Sequence, residues 1–340
     1  MLSLRQLAKR FLPRELQFLY RSARDKRDLS AILGFLFGRR VHLPVSDRIA
    51  LVDDCYRKLF TKADADAAVR FLGLDDVGIP NEQRMALIRD LTLTKNHWRD
   101  AGAILAFLRD DTVPIGAAAR ATLMRRYTKI TQNIECHHTE GEIFQYARAI
   151  LETPKTLPGS FVEAGCFKGG GTAKFSLAAQ IAGRKLVVFD SFEGIPDHNE
   201  PHEKNIFGNS AFFRKGSYKG ELHEVKANVA KYGSVENCEF VQGWFEDTLP
   251  AFREPLAGIY LDVDLAASTR TCLRHLYPLL QEEGVLFSQD GHLPLVIDVL
   301  ADARFWEQEV GYPKPHIEGL GTSKLVKIVK QRTHHSRASR

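Results

Sequence analysis

The sequence predicts an α/β protein: a doubly wound, Rossmann-like, mostly parallel sheet preceded by an all-helical N-terminal region. Three observations carry that prediction. Residues 161–172 read Phe-Val-Glu-Ala-Gly-Cys-Phe-Lys-Gly-Gly-Gly-Thr, an apolar run that turns through glycines into a helical pattern. From residue 157 onward, short apolar runs alternate with helical segments, as in successive βαβ units. Residues 1–125 instead show helical periodicity with few strand signals.

The glycine stretch organises the rest. Glu163 closes the apolar approach, and Gly165 permits a sharp turn two residues later. The run Gly169-Gly170-Gly171 lets the backbone come close to a ligand, with helix N–H groups facing it. This is not the dinucleotide fingerprint G-x-G-x-x-G, because Phe167 stands where its second glycine belongs. An acid two residues before the turn suits a ligand with an ammonium end and no pyrophosphate. S-adenosylmethionine is such a ligand. The plain alternative is a glycine-rich turn that holds nothing.

The pattern predicts strands at 160–164, 185–190, 238–242, 258–264 and 284–289. It predicts helices at 171–183, near 220–232, at 268–282 and at 294–310. Apolar runs at 316–320 and 323–330 read as a finishing antiparallel hairpin. The polar and aromatic stretch 194–218 has no period and reads as a functional loop, a lid carrying Phe207, Phe212 and Phe213. The expected division is a helical region 1–125, a connecting helical segment 126–156, the α/β domain 157–331 and a basic tail 332–340.

In the N-terminal region, Leu4, Leu7, Phe11, Leu12, Leu16, Leu19 and Tyr20 recur at helical spacing among basic residues. Such a segment can lie on an anionic membrane surface, although an ordinary helix packed on the protein is the simpler reading. Leu51, Cys55, Leu59 and Phe60 form one further face, and Ala103, Leu105, Ala106 and Leu108 another. Breaks fall at 78–80 and 112–114.

Composition sets limits. The 340 residues are 44% hydrophobic and 26% charged, as in a globular protein with a real core. No apolar run reaches the ~18 residues of a membrane span. The first ten residues lack the apolar core of a secretory leader, so a cytoplasmic location is expected, with the inner membrane face an option. Five scattered cysteines without a C-x-x-C pair argue for reduced thiols. Residues 1–40 carry a net charge of +7 and residues 324–340 a net of +6, against +5 for the whole. The body is therefore acidic and only the ends are basic, which argues against nucleic-acid binding. The expected partners are a small-molecule or glycan acceptor, with a peripheral membrane contact and a homo-oligomer left open.

In doubly wound sheets ligands bind beyond the carboxyl ends of the strands. The first strand delivers Glu163 and Gly165 there. The second delivers Asp190 and Ser191; Asp190 lies 25 residues after Gly165, where an acid can accept from both ribose hydroxyls. The third delivers Gly243, Trp244 and Phe245, either an apolar wall for an adenine face or core packing. The fourth ends Leu-Asp-Val-Asp (261–264), and the fifth delivers Gln289, Asp290, Gly291 and His292. These acids can bind a divalent cation through oxygen or supply a general base, and His292 is a second candidate base. His137 and His138 could reach the site from ahead of the domain.

Four ordered pieces carry a family resemblance. They are residues 158–170, Phe-Asp-Ser-Phe-Glu-Gly-Ile-Pro (189–196), Gly-Trp-Phe-Glu-Asp-Thr-Leu-Pro (243–250), and Leu-Asp-Val-Asp-Leu-Ala-Ala-Ser-Thr (261–269) with Leu-Tyr-Pro (276–278). Over residues 157–331 the chain resembles the macrocin O-methyltransferase family, S-adenosylmethionine-dependent enzymes that methylate sugar hydroxyls. The resemblance implies a seven-stranded sheet with its last strand antiparallel. It implies S-adenosylmethionine on Glu163, Gly165, Asp190, Ser191 and Trp244, and Mg2+ on Asp262, Gln289 and Asp290. Val263, Ala266 and Ala267 depart from the family's Gly, Tyr and Glu, and Gln289 and Gly291 depart from its Asp-Asp-Tyr. Those departures keep a non-catalytic cofactor-binding module in play. A nicotinamide-dependent oxidoreductase is the other rival, disfavoured by Glu163 and Phe167.

Overall fold

The computed structural model describes residues 100–332, with residues 78, 79, 83 and 87 ahead of them. The expected faces at 4–20 and 51–60 and the tail 333–340 lie outside the described residues. Gly78, at the expected break, sits in a turn with φ +68°. The chain divides into two compact units at Asn133–Ile134, with Thr139–Gly141 grouped with the first. The expected boundary at 125/126 therefore falls inside a helix.

In the first unit, α1 (Ala101–Arg109) and α2 (Ala117–Asn133) flank the break at Pro114. The buried face of α1 is Ile104, Leu105, Phe107 and Leu108, whereas Ala106 is exposed. Leu105 and Leu108 of the expected face are thus buried, Ala103 is half-buried, and Ile104 and Phe107 take the place expected of Ala106, because larger side chains remove more apolar area from water. Arg120 is 2% exposed and staples the turn. It donates to the carbonyls of Leu108 (3.0 Å) and Ile115 (2.7 Å) and to Asp111 Oδ1 (2.9 Å).

The second unit holds the body of α3 (Glu140–Glu152) from Glu142 on, and then the sheet. Its strands are β1 (Ser160–Ala164), β2 (Leu186–Asp190), β3 (Cys238–Gln242), β4 (Leu256–Leu261), β5 (Leu280–Ser288) and β6 (Val326–Val329). Their order is β3-β2-β1-β4-β5-β6. The first five are parallel and β6 is antiparallel to β5. The helices are α4 (Gly170–Ala182), α5 (Leu222–Tyr232), α6 (Phe245–Thr248), α7 (Ala266–Leu276) and α8 (Pro294–Ala301). The order reverses between β1 and β4, which places the switch point beside Glu163 and Gly165.

Six strands are found among the described residues where seven were expected. The run 316–320 contributes a single antiparallel bridge, Glu318 to Lys327. Gly319 and Gly321, at φ +81° and +72°, turn the chain away at once. β4 stops at Leu261 rather than 264, because Asp262–Asp264 form a turn with Asp264 at φ +59°. The helix expected at 268–282 ends at Leu276, where Pro278 enters a 3-10 turn and β5 begins. The helix expected at 294–310 breaks at Asp302, whose Oδ1 caps a new turn by accepting from the N–H groups of Arg304 and Phe305.

Side chains alternate across β1. Val162 and Ala164 join one core face with Val187, Phe189, Ile259 and Leu261. Phe161 and Glu163 point the other way, toward rings from Tyr146, Phe175 and Tyr260, whose centroids lie 4.9–5.2 Å apart. The strand that reaches the site thus carries a carboxylate into an aromatic layer.

Candidate active site

A cavity of about 900 Å³ opens at the carboxyl ends of β1, β2 and β4. Gly165, Gly170, Gly171, Asp190, Ser191, Trp244, Asp262, Asp264, Asp290 and His292 line it, all predicted from the strand ends or the glycine run. His138 and Lys324 line it as well.

Gly165 sits at φ +84°, and a Cβ there would meet the carbonyl oxygen of Asp262 at 2.0 Å. The turn after β1 and the turn after β4 therefore touch through bare backbone. Gly165→Ala is expected to destabilise the protein by about 3 kcal/mol or more, read from the urea midpoint.

Two of the predicted glycines serve elsewhere. Gly169, at φ +80°, faces Val225 and Val229 of α5, and it is Gly170 and Gly171 that reach the cavity. Gly243 faces Thr248, and its N–H donates to the Asp190 carbonyl at 3.0 Å. It shapes the turn that presents Trp244 and does not line the cavity.

Glu163 is 1% exposed and lies behind Gly171, not on the wall itself. Its Oε2 has no hydrogen-bond partner. Burial pushes its carboxyl up to about 8, against opposing pulls from nearby Thr172 and His138. A buried oxygen without a partner beside the glycine wall suits a cationic ligand end. Asp190 accepts from the N–H of Cys166 through Oδ2 and of Phe192 through Oδ1, both at 2.7 Å. Those bonds orient the carboxylate and leave it further lone pairs for hydroxyl donors. Ser191 Oγ accepts from the Glu193 N–H at 3.1 Å and donates to the Gly194 carbonyl at 3.3 Å, forming a local turn at the rim.

The acids after β4 and β5 converge. Carboxylate oxygens of Asp262, Asp264 and Asp290 lie within 4.8 Å of one another. Asp290 Oδ2 accepts from the N–H groups of Val263 (2.9 Å) and Asp264 (3.0 Å), so it braces the turn that carries Asp262. Burial and the neighbouring Asp262 raise Asp290 to about 7. Burial, then Asp290 and Asp262, lift Asp264 well above the carboxylate range. Gln289 behaves otherwise. It is buried, its Oε1 accepts from the Tyr260 hydroxyl at 2.8 Å, and it does not line the cavity. The implied Asp262–Gln289–Asp290 donor set for magnesium is therefore not assembled.

Sequence reasoning underrated His138. Its Nε2 is 2.8 Å from Asp262 Oδ2, and its Nδ1 is 3.5 Å from Cys136 Sγ. Burial alone would lower the pKa of this imidazole, but Cys136 and Asp262 hold it well above the usual histidine value. In return, although burial would raise Asp262, His138 brings it below the usual range. The two residues are 124 positions apart, and the only signal was a histidine pair just ahead of the domain. His292 makes no such link. Burial, then Lys324, lowers its pKa; its ring stacks on Phe207 at 6.3 Å, and its Nδ1 has no hydrogen-bond partner. It is a neutral rim residue.

The expected loop 194–218 is ordered over the cavity. Its base closes through Ile195 N–H to the Ser217 carbonyl (2.9 Å) and Gly216 N–H to the Ile195 carbonyl (2.8 Å). Glu200 accepts from the N–H groups of Ala266 (2.9 Å) and Ala267 (2.8 Å), the first turn of α7. A carboxylate from the loop thus satisfies the first N–H donors of the helix. Phe212 is 66% exposed and lines the cavity mouth.

The strand order with a final antiparallel strand, the glycine turn over β1 and the acid at the tip of β2 define an α/β methyltransferase fold. The chain belongs to the macrocin O-methyltransferase family. Residues 144–318 match its model, Macrocin-O-methyltransferase (TylF). A Streptomyces olivaceus protein named 8-demethyl-8-(2,3-dimethoxy-alpha-L-rhamnosyl)-tetracenomycin-C 4'-O-methyltransferase is 32% identical over 48% of this chain and 65% of its own. Demethyldecarbamoylnovobiocin O-methyltransferase of Streptomyces niveus is 33% identical over 39% of this chain and 53% of its own. The chain thus spans less than two thirds of the length of these curated relatives. Among solved structures, the O-methyltransferase NovP is 26% identical with a TM-score of 0.45, covering 56% of this chain and 78% of that one.

Proposed function

We propose that this protein is an S-adenosylmethionine-dependent O-methyltransferase acting on a hydroxyl of a sugar or glycan-type acceptor. The observation that carries the reading is the His138–Asp262 pair on the wall of the cavity that Gly165 and Asp190 also line. The cofactor supplies an electrophilic methyl group. Asp190 accepts from its ribose hydroxyls, Trp244 covers its base, and buried Glu163 favours its ammonium end. Asp262 faces the acceptor and takes the hydroxyl proton as the oxygen attacks. His138 keeps that carboxylate ionised and oriented. Positioning of the two reactants supplies much of the rate. His292 and Phe212 at the rim contact the acceptor. Gln289 is turned to Tyr260, so a divalent cation, if one takes part, would be held by Asp262, Asp264 and Asp290 and would lower the proton affinity of the acceptor hydroxyl. The rhamnosyl acceptor in one relative's name makes deoxysugar glycosides the first acceptors to try.

Isothermal titration with S-adenosylhomocysteine tests the cofactor half. Wild type is expected to bind it, and Asp190→Ala to bind ~10- to 100-fold more weakly, as two charge-assisted hydrogen bonds are lost. Unchanged affinity in that variant would sink the assignment of the pocket.

A further inference from the structure

Cys136 lies outside the methyl-transfer reading, yet its surroundings are those of an activated sulfur. It lines the cavity, and its Sγ is 3.5 Å from His138 Nδ1. The other nitrogen of His138 is held by Asp262 at 2.8 Å. A thiol, a base and a carboxylate that orients the base therefore stand in a row. The thiol also backs onto the first turn of α4. A Cβ at Gly170 would be 2.9 Å from Cys136 Cβ and 3.4 Å from Sγ, close to where the helix presents its positive end.

We propose that Cys136 is a covalent modification site, a thiol that attacks soft electrophiles entering the cavity faster than the other described cysteines do. Those others provide an internal control. Burial pushes Cys166 and Cys272 well above the ordinary thiol value, and Cys238 up to about 12. Burial acts on Cys136 in the same sense, but His138 and then Lys174 bring it below that value. In the reaction with iodoacetamide, a sulfur lone pair attacks the carbon bearing iodine. The S–C bond forms, the C–I bond breaks, and iodide leaves with the electron pair. The sulfur reacts as the thiolate paired with the His138 imidazolium, which then gives up its proton to water. The adduct occupies space beside Gly170 and displaces the sulfur from the imidazole.

The test is limiting iodoacetamide on the native full chain at neutral pH, with the rate at each cysteine read by peptide mass spectrometry. Cys136 is expected to react at least ~10-fold faster than Cys166, Cys238 or Cys272, because its larger thiolate fraction outweighs the lower nucleophilicity of a less basic sulfur. A Cys136 rate equal to or below any of the three overturns the proposal. In His138→Gln, with the fold checked by circular dichroism, the Cys136 rate is expected to drop at least ~10-fold; an unchanged rate overturns the role of the imidazole. The ranking in wild type needs neither variant, cofactor nor acceptor, so it stands or fails separately from the methyl-transfer reading.

Discussion

Raising the pH from 5 to 8 is expected to weaken the unliganded protein and to tighten its hold on the cofactor, both through Glu163. The carboxyl titrates near 8 in the fold because burial disfavours its charge. In the unfolded chain it titrates at the ordinary value of ~4.3. Between those values the fold holds a proton that the unfolded chain has released, so stability falls as pH rises. The slope approaches ~1.4 kcal/mol per pH unit, for a loss on the order of 3 kcal/mol across the window. Asp290, raised to about 7, adds a loss of the same sign that ends earlier. Asp264, lifted in the same sense, adds to it, so urea unfolding of Glu163→Gln should show a pH slope lower than wild type by up to ~1.4 kcal/mol per pH unit. A cationic ligand end favours the ionised carboxylate, so binding expels the proton. Affinity for S-adenosylhomocysteine should then rise by up to ~10-fold per pH unit below 8. Titrations in buffers of different ionisation enthalpy should show up to one proton released at pH 7. Glu163→Gln separates this from the ligand's own titration. A wild-type affinity as flat with pH as that of the variant would remove Glu163 from the cofactor site.

Asp262→Asn is expected to lower kcat by about 10³-fold while changing affinity for S-adenosylhomocysteine less than ~3-fold. The amide keeps the shape of the carboxylate but cannot take a proton, and a positioned base contributes ~10²- to 10⁴-fold. Among the described residues, the one side-chain hydrogen bond of Asp262 is to His138, on Oδ2. The other oxygen is left for the acceptor. His138→Gln should cost less, ~10- to 100-fold, because the base survives but loses its charged partner. Single-turnover methyl transfer from labelled cofactor separates this step from product release. Full activity in Asp262→Asn would move the base elsewhere, with His292 the next residue on the wall.

Strand tips were legible in the sequence because a buried parallel strand leaves a short apolar run that stops at its functional residue. Glu163, Asp190 and Asp290 could be placed from those endings alone. What a side chain touches is set by tertiary structure, and there the reading thinned. The glycine run announced close backbone contact, but not that Gly169 serves α5 while Gly170 and Gly171 form the wall. Gln289 stands next to Asp290 in the turn just past β5, yet it bonds Tyr260 instead of lining the cavity. The link from His138 to Asp262 leaves no periodic trace, since one partner sits in an irregular stretch between α2 and α3. Glu200 was likewise hidden, because a loop without period conceals which helix it caps.

The missing side chain at Gly165 has a wider consequence. Where two backbones meet with no room for a methyl group, neither turn can be reshaped without dislodging its neighbour. On the proposed reading, the turns that would face methyl donor and acceptor are mounted on a single stiff frame. Variation at the cavity mouth is left to segment 194–218, where the exposed ring of Phe212 can be exchanged while the frame stays intact.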